Sequence, residues 1–246
     1  MTIPVEALPA DVANADVSAG SSNTGLMRQR EEFEDTTGFR RSILQISRQV
    51  IRLAADTIVQ MRMRPSEHGS TQSEDKNAIQ ITDSLAALER WREEHAYAAW
   101  TERTRIGSMA VWNATHIILR YGLLDAPVED PSVQAAAMDI LDLCIQAGDK
   151  IEYLNWVSAG MTLGLRTVVV LMSKPLVVAG SVVTDSTTRD RLRAIVASFA
   201  YQCCEEIVVI SRVMETMWQR LDDGRGGRLM DWQEVALELG KPVLLG

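Results

Sequence analysis

Apolar residues recur at alternating spacings of three and four over most of the chain after residue 40. The two clearest stripes are Val133, Ala137, Ile140, Cys144, Ala147 and Ile207, Ile210, Met214, Met217, Leu221. This period matches the 3.6 residues per turn of an α-helix and places each stripe on one helix face. No segment shows the two-residue alternation of apolar and polar residues that is typical of paired β-strands. The pattern predicts an all-α fold, a single multi-helix bundle of about seven or eight helices.

Capping residues mark several helix starts. Asp130 followed by Pro131 has the form of an N-cap and a first helical proline. Thr187 with Asp190 resembles a capping box that opens another helix, with Asp190 in place of the usual Glu or Gln. Asp231 is expected to open a last short helix. Among the earlier helices, the second is expected to start near residue 78.

The most apolar stretch, residues 161–183, is interrupted by Arg166 and by Lys174-Pro175. It therefore falls short of the roughly 20 apolar residues that a membrane helix needs, and we predict no membrane association. Its valine clusters leave short buried strands as an alternative. Helix is preferred, because the rest of the chain offers no strands to pair with them.

Residues 1–38 are rich in Ala, Ser, Asp and Glu and lack a sustained apolar period. Such a segment cannot bury enough apolar surface to offset the entropy of ordering. We therefore expect residues 1–38 to be a disordered, flexible leader. Residues 39–246 are expected to form the helical domain.

Charge and cysteine content restrict the function. The chain has 33 acidic and 25 basic residues and a net charge of -8, which disfavours a broad grip on a phosphate backbone. Its three cysteines, Cys144, Cys203 and Cys204, cannot build a disulfide framework or a zinc cluster. We therefore expect a reduced intracellular protein without direct DNA binding.

No catalytic, cofactor or metal-binding motif is found. The histidines His68, His95 and His116 lack a His or Cys partner at helical metal-ligand spacing. His95 is interpreted as a surface residue and His116 as a half-buried structural one. We therefore predict that the chain is not an enzyme and carries no cofactor.

Two alternatives remain open. The acidic pair Asp222-Asp223 would suit a metal-dependent prenyl-type enzyme, in which carboxylates at helix ends hold magnesium ions. The pair lacks a further carboxylate at matching spacing, so two solvated acids are preferred. Six tryptophans and eleven methionines could instead line the pocket of a small-molecule receptor.

The C-terminal third has an ordered pattern of residues. An apolar run with Pro175, Ala179 and Gly180 precedes a helix containing Arg191, and Trp218 precedes an acidic turn at Asp222. Asp231 and Trp232 then open the last helix before Gly240. This order resembles the fungal-specific transcription factor domain, the all-helical regulatory region of zinc-cluster transcription factors. The resemblance is good over residues 170–245, extends over 78–169, and excludes the zinc cluster itself.

The resemblance implies a regulatory or interaction domain in the nucleus, with the cytoplasm as the other possible location. The partners it implies are proteins of the transcription machinery or a second copy of the chain, with a small-molecule effector as a further possibility. The residues themselves imply structural roles. Pro175 separates two apolar helices, Gly180 allows a close helix approach, and Trp218 and Trp232 anchor the last helices.

Overall fold

The computed structural model describes residues 39–63, 71–149, 174–200, 204–224 and 231–240. They all belong to one compact unit, Glu34–Gly246. The helices within these ranges are α1 Arg41–Met63, α2 Thr71–His95, α3 Glu102–Ile117, α4 Pro131–Asp149, α5 Ser186–Ala200, α6 Cys204–Asp222 and α7 Asp231–Glu238. A π-helical turn, Ile118–Leu123, continues α3, and residues 174–180 are also helical.

The prediction of an all-α fold is confirmed, and the described ranges contain no β-strand. The helical residues 174–180 include two of the valines for which a strand was the alternative. Residues 168–170 and the expected leader, residues 1–38, lie outside the described residues. The prediction that the second helix starts near residue 78 is wrong. It starts at Thr71, because its first two turns consist of polar residues that apolar periodicity does not detect.

The N-cap of α4 agrees with its prediction. Asp130 Oδ1 accepts hydrogen bonds from the backbone N–H groups of Ser132 at 2.8 Å and Val133 at 3.3 Å. These bonds satisfy amides that have no partner within the helix. The pKa of Asp130 is held below its usual range, first by the hydrogen bond that the Ser132 hydroxyl donates to Oδ1 and then by the backbone bonds.

The N-cap of α5 differs from its prediction. Asp185 Oδ1 accepts from the backbone N–H of Thr188 at 2.8 Å, so Asp185 and not Thr187 is the cap. Thr187 lies within the first turn of the helix. Both threonine and aspartate can cap a helix, and the register that buries Leu192 and Val196 selects the aspartate.

Helix α3 lies at the centre of the N-terminal part of the bundle. It packs against α1, α2 and α4, and twelve of its sixteen residues are buried. Buried polar side chains on this helix bond within the bundle. Ser108 Oγ accepts from the backbone N–H of Arg40 at 2.9 Å, and Trp112 Nε1 donates to the carbonyl oxygen of Leu88 at 2.9 Å. These bonds fix α1 and α2 against α3.

Helix α4 joins this part of the bundle to the C-terminal helices. It packs against both α3 and α5, and α5 and α7 in turn pack against α6. Gln134 Nε2 donates to the carbonyl oxygen of Val128 at 2.6 Å and to that of Val182 at 2.8 Å. This side chain therefore ties the start of α4 to the turn that follows residues 174–180.

None of the helices in the described ranges is both long and apolar enough to cross a membrane.

Candidate functional site

Three residues selected from the sequence, Gly180, Trp218 and Asp222, meet where residues 174–180, α5 and α6 come together. Arg189 and Met214 complete this group, which we call the C-terminal junction. Its polar bonds join residues 38 and 33 positions apart and thereby connect residues 174–180, α5 and α6.

Trp218 and Gly180 are directly bonded across the junction. Trp218 is 3% exposed, and its Nε1 donates to the carbonyl oxygen of Gly180 at 2.9 Å. A Cβ atom at position 180 would lie 2.7 Å from the sulfur of Met214, closer than real Cβ contacts. Only glycine therefore lets α6 pack this near to residues 174–180 without a shift of Met214.

Arg189 is the residue of the junction that the sequence reasoning missed. Its side chain is 10% exposed, and Nη1 and Nη2 donate to the two carboxylate oxygens of Asp222 at 2.8 and 2.9 Å. Its guanidinium also lies 5.5 Å from the ring centre of Trp218. A buried guanidinium needs such a partner, since removing a charge from water is costly.

A signal for Arg189 was present in the sequence. Arg189 lies three residues before Leu192 and seven before Val196, which is the spacing of the buried face of α5. Arg191, the arginine selected from the resemblance, lies on another face. It is half-exposed and donates to Asp142 of α4 at 2.9 Å.

Further ion pairs surround the junction at the surface. Arg193 donates to both carboxylate oxygens of Glu215, at 2.6 and 2.8 Å, and to Asp190 at 2.6 Å. The bond from Arg193 holds the pKa of Glu215 below its usual range. Arg193 also lies over the ring of Trp218, 4.9 Å from its centre. Trp218 is thus covered by two guanidinium groups, each fixed by an acid.

The remaining selected residues lie around the junction. Pro175 and Ala179 are buried in the helical residues 174–180, and Trp232 is buried in α7. Asp231 is the first residue of α7. Gly240 has φ +66°, a left-handed conformation that ends the helix and that other residues adopt with strain.

The carboxylate of Asp222 is occupied by Arg189, and their bond holds the pKa of Asp222 below its usual range. Asp222 is exposed as expected, with 63% of its side chain accessible, but it is also the partner of a buried guanidinium, which the sequence did not indicate. Asp223 is exposed in the turn after α6. Among the described residues, no three His, Cys, Asp or Glu side chains are grouped as metal ligands. The contacts of the junction hold residues 174–180, α5 and α6 together.

His116 is the other chemically distinctive residue. It is buried on α3, stacks on Trp112 with ring centres 5.2 Å apart, and has no hydrogen-bond partner at Nδ1. The nearest carboxylate oxygen, on Glu89, lies 3.6 Å from Nδ1. Burial lowers the pKa of His116, while the charge of Glu89 acts in the opposite direction. The ring is thus neutral at neutral pH. Glu89 lies close enough to form an ion pair with the ring when the ring is protonated.

The interpretation of His95 as a surface residue holds only in part. His95 is half-buried, because its ring stacks on Trp91 with centres 4.6 Å apart and its Nδ1 lies 2.8 Å from the carbonyl oxygen of Trp91. His68, Cys203 and the side chain of Cys204 lie outside the described residues. Cys144 is buried on α4, and burial raises the pKa of its thiol to about 12, so it stays protonated.

The model of one protein family, described as the fungal specific transcription factor domain, matches residues 14–246. The match therefore begins well before residue 78, the first residue of the resemblance seen in the sequence. Comparisons with curated proteins and with solved structures gave no significant match. Since the family model covers almost the whole chain, the protein belongs to the family of fungal-specific transcription factor domains.

Proposed function

We propose that this chain is a regulatory and interaction domain of a fungal transcription regulator, acting through a protein partner or an effector and not through its own DNA contacts. The observation that carries this proposal is the family match over residues 14–246. The all-helical architecture supports it, because helix faces and helix junctions are common binding surfaces for partner helices and peptides. Its place of action is the nucleus, as the family's role in transcription suggests.

The charge of the chain supports the absence of direct DNA contacts. A net charge of -8 repels a phosphate backbone, and three cysteines are too few thiolates for two zinc ions in a zinc cluster. DNA recognition by a complete regulator would then fall to another module or another chain. The contribution of this domain is to transmit a signal to that module, as a monomer with its partner or as a homodimer.

The geometry of the junction disfavours the prenyl-type enzyme. Asp222 is already neutralised by Arg189 through two hydrogen bonds, so a metal ion at Asp222 would have to displace a buried guanidinium. No observation on the described residues favours a receptor for an apolar ligand over the regulatory role.

A reporter experiment tests the proposal. The full chain is fused to an unrelated DNA-binding domain in a fungal cell, and transcription of a reporter is compared with that from the DNA-binding domain alone. We expect the fusion to raise or lower transcription, and Trp218→Ala to remove this effect through loss of the fold. An exposed variant, Asp223→Asn, serves as the matched control. Equal reporter levels with and without the folded chain would contradict a regulatory role.

The DNA part of the proposal has its own test. The purified chain is titrated against labelled duplex DNA at physiological salt, and anisotropy is recorded. We expect only weak binding without sequence preference. Tight binding that discriminates among sequences would show that the chain reads DNA itself.

A further inference from the structure

Helix α1 has an exposed face composed of hydrogen-bond donors. Gln45, Arg48, Gln49 and Arg52 are all exposed and lie within two turns of one another. Arg48 and Arg52 are four residues apart, which places them side by side on the helix. Two like charges in this arrangement destabilise a helix unless an anion lies nearby. This part of the surface therefore concentrates positive charge.

No acid among the described residues lies within ion-pair distance of either arginine. Neither Arg48 nor Arg52 forms an ion pair with a described residue, although Asp56 is exposed one turn beyond Arg52. The chain has more acids than bases, 33 against 25, so acidic neighbours are plentiful in the sequence. A shortage of acidic residues therefore does not explain why the two arginines lack an ion-pair partner among the described residues.

A third cation, Lys174, lies near Arg48 in the tertiary structure. Lys174, at the start of residues 174–180, is partly buried and lies close enough to Arg48 for their charges to repel. Burial is the main cause, and Arg48 the second, that lowers the pKa of Lys174 to about 8. Lys174 has no hydrogen bond or ion pair with a described residue. A partly buried ammonium without a partner is costly, and a bound anion would reduce that cost.

We propose that Arg48, Arg52 and Lys174, with Gln45 and Gln49, form a docking face for an acidic peptide segment of a partner protein. We call this surface the basic face. The inference rests on the proposed function, because it names the chemistry of the partner that the regulatory domain binds. Carboxylates of the peptide pair with the three cations, and the two glutamine amides donate to its backbone or side-chain oxygens.

The shape and charge of the chain favour a peptide over other anions. The donors extend along about two turns of an exposed, convex helix, which suits a chain of spaced carboxylates better than one small anion. DNA is disfavoured because the net charge of -8 repels a long polyanion, while a short peptide meets mainly the local positive charge. A second copy of this acidic chain is the other candidate occupant, and the test distinguishes it from a peptide.

The test measures binding of a fluorescein-labelled, glutamate-rich peptide to the full chain by anisotropy, beside the same peptide with glutamine in place of glutamate. We expect the glutamate peptide alone to bind, more weakly as salt increases. The double variant Arg48→Gln with Arg52→Gln should raise Kd about fivefold. Lys174→Met should also raise Kd, while preserving the apolar packing of the lysine stem.

The matched control is Arg90→Gln with Arg212→Gln, which removes two exposed arginines on α2 and α6 and gives the same net charge. The proposal is overturned if this control weakens binding as much as the Arg48 and Arg52 variant, or if the glutamine peptide binds equally well. Stronger binding of duplex DNA than of the peptide, lost in the Arg48 and Arg52 variant, would assign the face to nucleic acid instead. A dimer that the same variant dissociates, without peptide binding, would assign it to a second copy.

These outcomes are independent of the reporter experiment. Loss of peptide binding in a chain that still regulates the reporter would overturn the docking face and leave the proposed function intact. Peptide binding by a chain without reporter activity would support the docking face and contradict the proposed function.

Discussion

The indole Nε1 of Trp218 donates to the carbonyl oxygen of Gly180 at 2.9 Å, a bond between residues 38 positions apart. It joins α6 to the end of residues 174–180 at the point where a side chain on residue 180 would meet Met214. One glycine thus both permits the close approach of α6 and supplies the acceptor that orients the tryptophan. The packing of α6 against residues 174–180 depends on this pair, and three of the predictions below concern it or the charges near it.

Replacement of Trp218 tests burial and the hydrogen bond separately. Trp218→Ala should lower the free energy of unfolding by about 3–5 kcal/mol, because a large buried side chain is lost and a cavity remains. Trp218→Phe keeps most of the packing but leaves the carbonyl of Gly180 unpaired, which costs about 1–3 kcal/mol. Urea denaturation measures both values, with the exposed Gln219→Ala as control. If Trp218→Phe is as stable as the parent, the bond to Gly180 contributes nothing to stability.

Gly180→Ala should destabilise the protein by about 1–3 kcal/mol, because its Cβ would lie 2.7 Å from the sulfur of Met214. Methionine is flexible, so the strain depends on whether Met214 can move. A double-mutant cycle with Met214→Ala, followed by denaturation, measures the coupling. We expect Gly180→Ala to cost less in the Met214→Ala background. Additive effects would contradict a clash between these two residues.

Asp222 and Asp223 should respond differently to the same change. Asp222→Asn removes the negative partner of the buried Arg189 guanidinium and should lower the melting temperature, whereas Asp223→Asn should change stability by no more than about 0.5 kcal/mol. The pKa of Asp222 is lowered by Arg189, so this stabilisation is present above the usual pKa of an aspartate and is lost as pH falls through the lowered value. Equal melting temperatures of the two variants would show that the charge of Asp222 does not stabilise the buried Arg189 guanidinium.

His116 should make stability depend on pH. Burial lowers its pKa in the folded protein, so the unfolded chain takes up a proton first as pH falls. The free energy of unfolding should therefore decrease between about pH 7 and pH 5, where free histidine titrates. Glu89→Gln should make this decrease steeper, because it removes the charge that favours protonated His116. His116→Gln should make it shallower, and an unchanged slope in that variant would place the proton uptake elsewhere.

Lys174→Met should stabilise the protein at neutral pH. The pKa of Lys174 is lowered to about 8, mainly by burial, so the folded state resists its charge. Replacing the ammonium with an apolar group of similar length should add about 1–2 kcal/mol to the free energy of unfolding. Denaturation at pH 7 measures this gain, and Lys76→Met on the exposed side of α2 is the control. A destabilised Lys174→Met variant would indicate that the ammonium has an anionic partner in the folded chain.

The sequence alone determined the helical character of this protein and several of its helix ends. The alternating three- and four-residue spacing of apolar residues depends only on the geometry of a single helix, so it identified α4 and α6 without knowledge of their neighbours. Asp130 was recognised as a cap for the same reason, since a cap bonds to amides two and three residues away. The order of motif residues from Pro175 to Gly240 also led to the correct family.

The tertiary structure alone decided which residues meet. Arg189 and Arg191 are equivalent in type and differ by two positions, yet only Arg189 lies on the buried face of α5 and pairs with Asp222. Lys174 likewise lies near Arg48, although the two residues are far apart in the sequence. Such pairings depend on how helices that are far apart in the sequence cross one another. The local energetics of a single helix carry no information about that crossing.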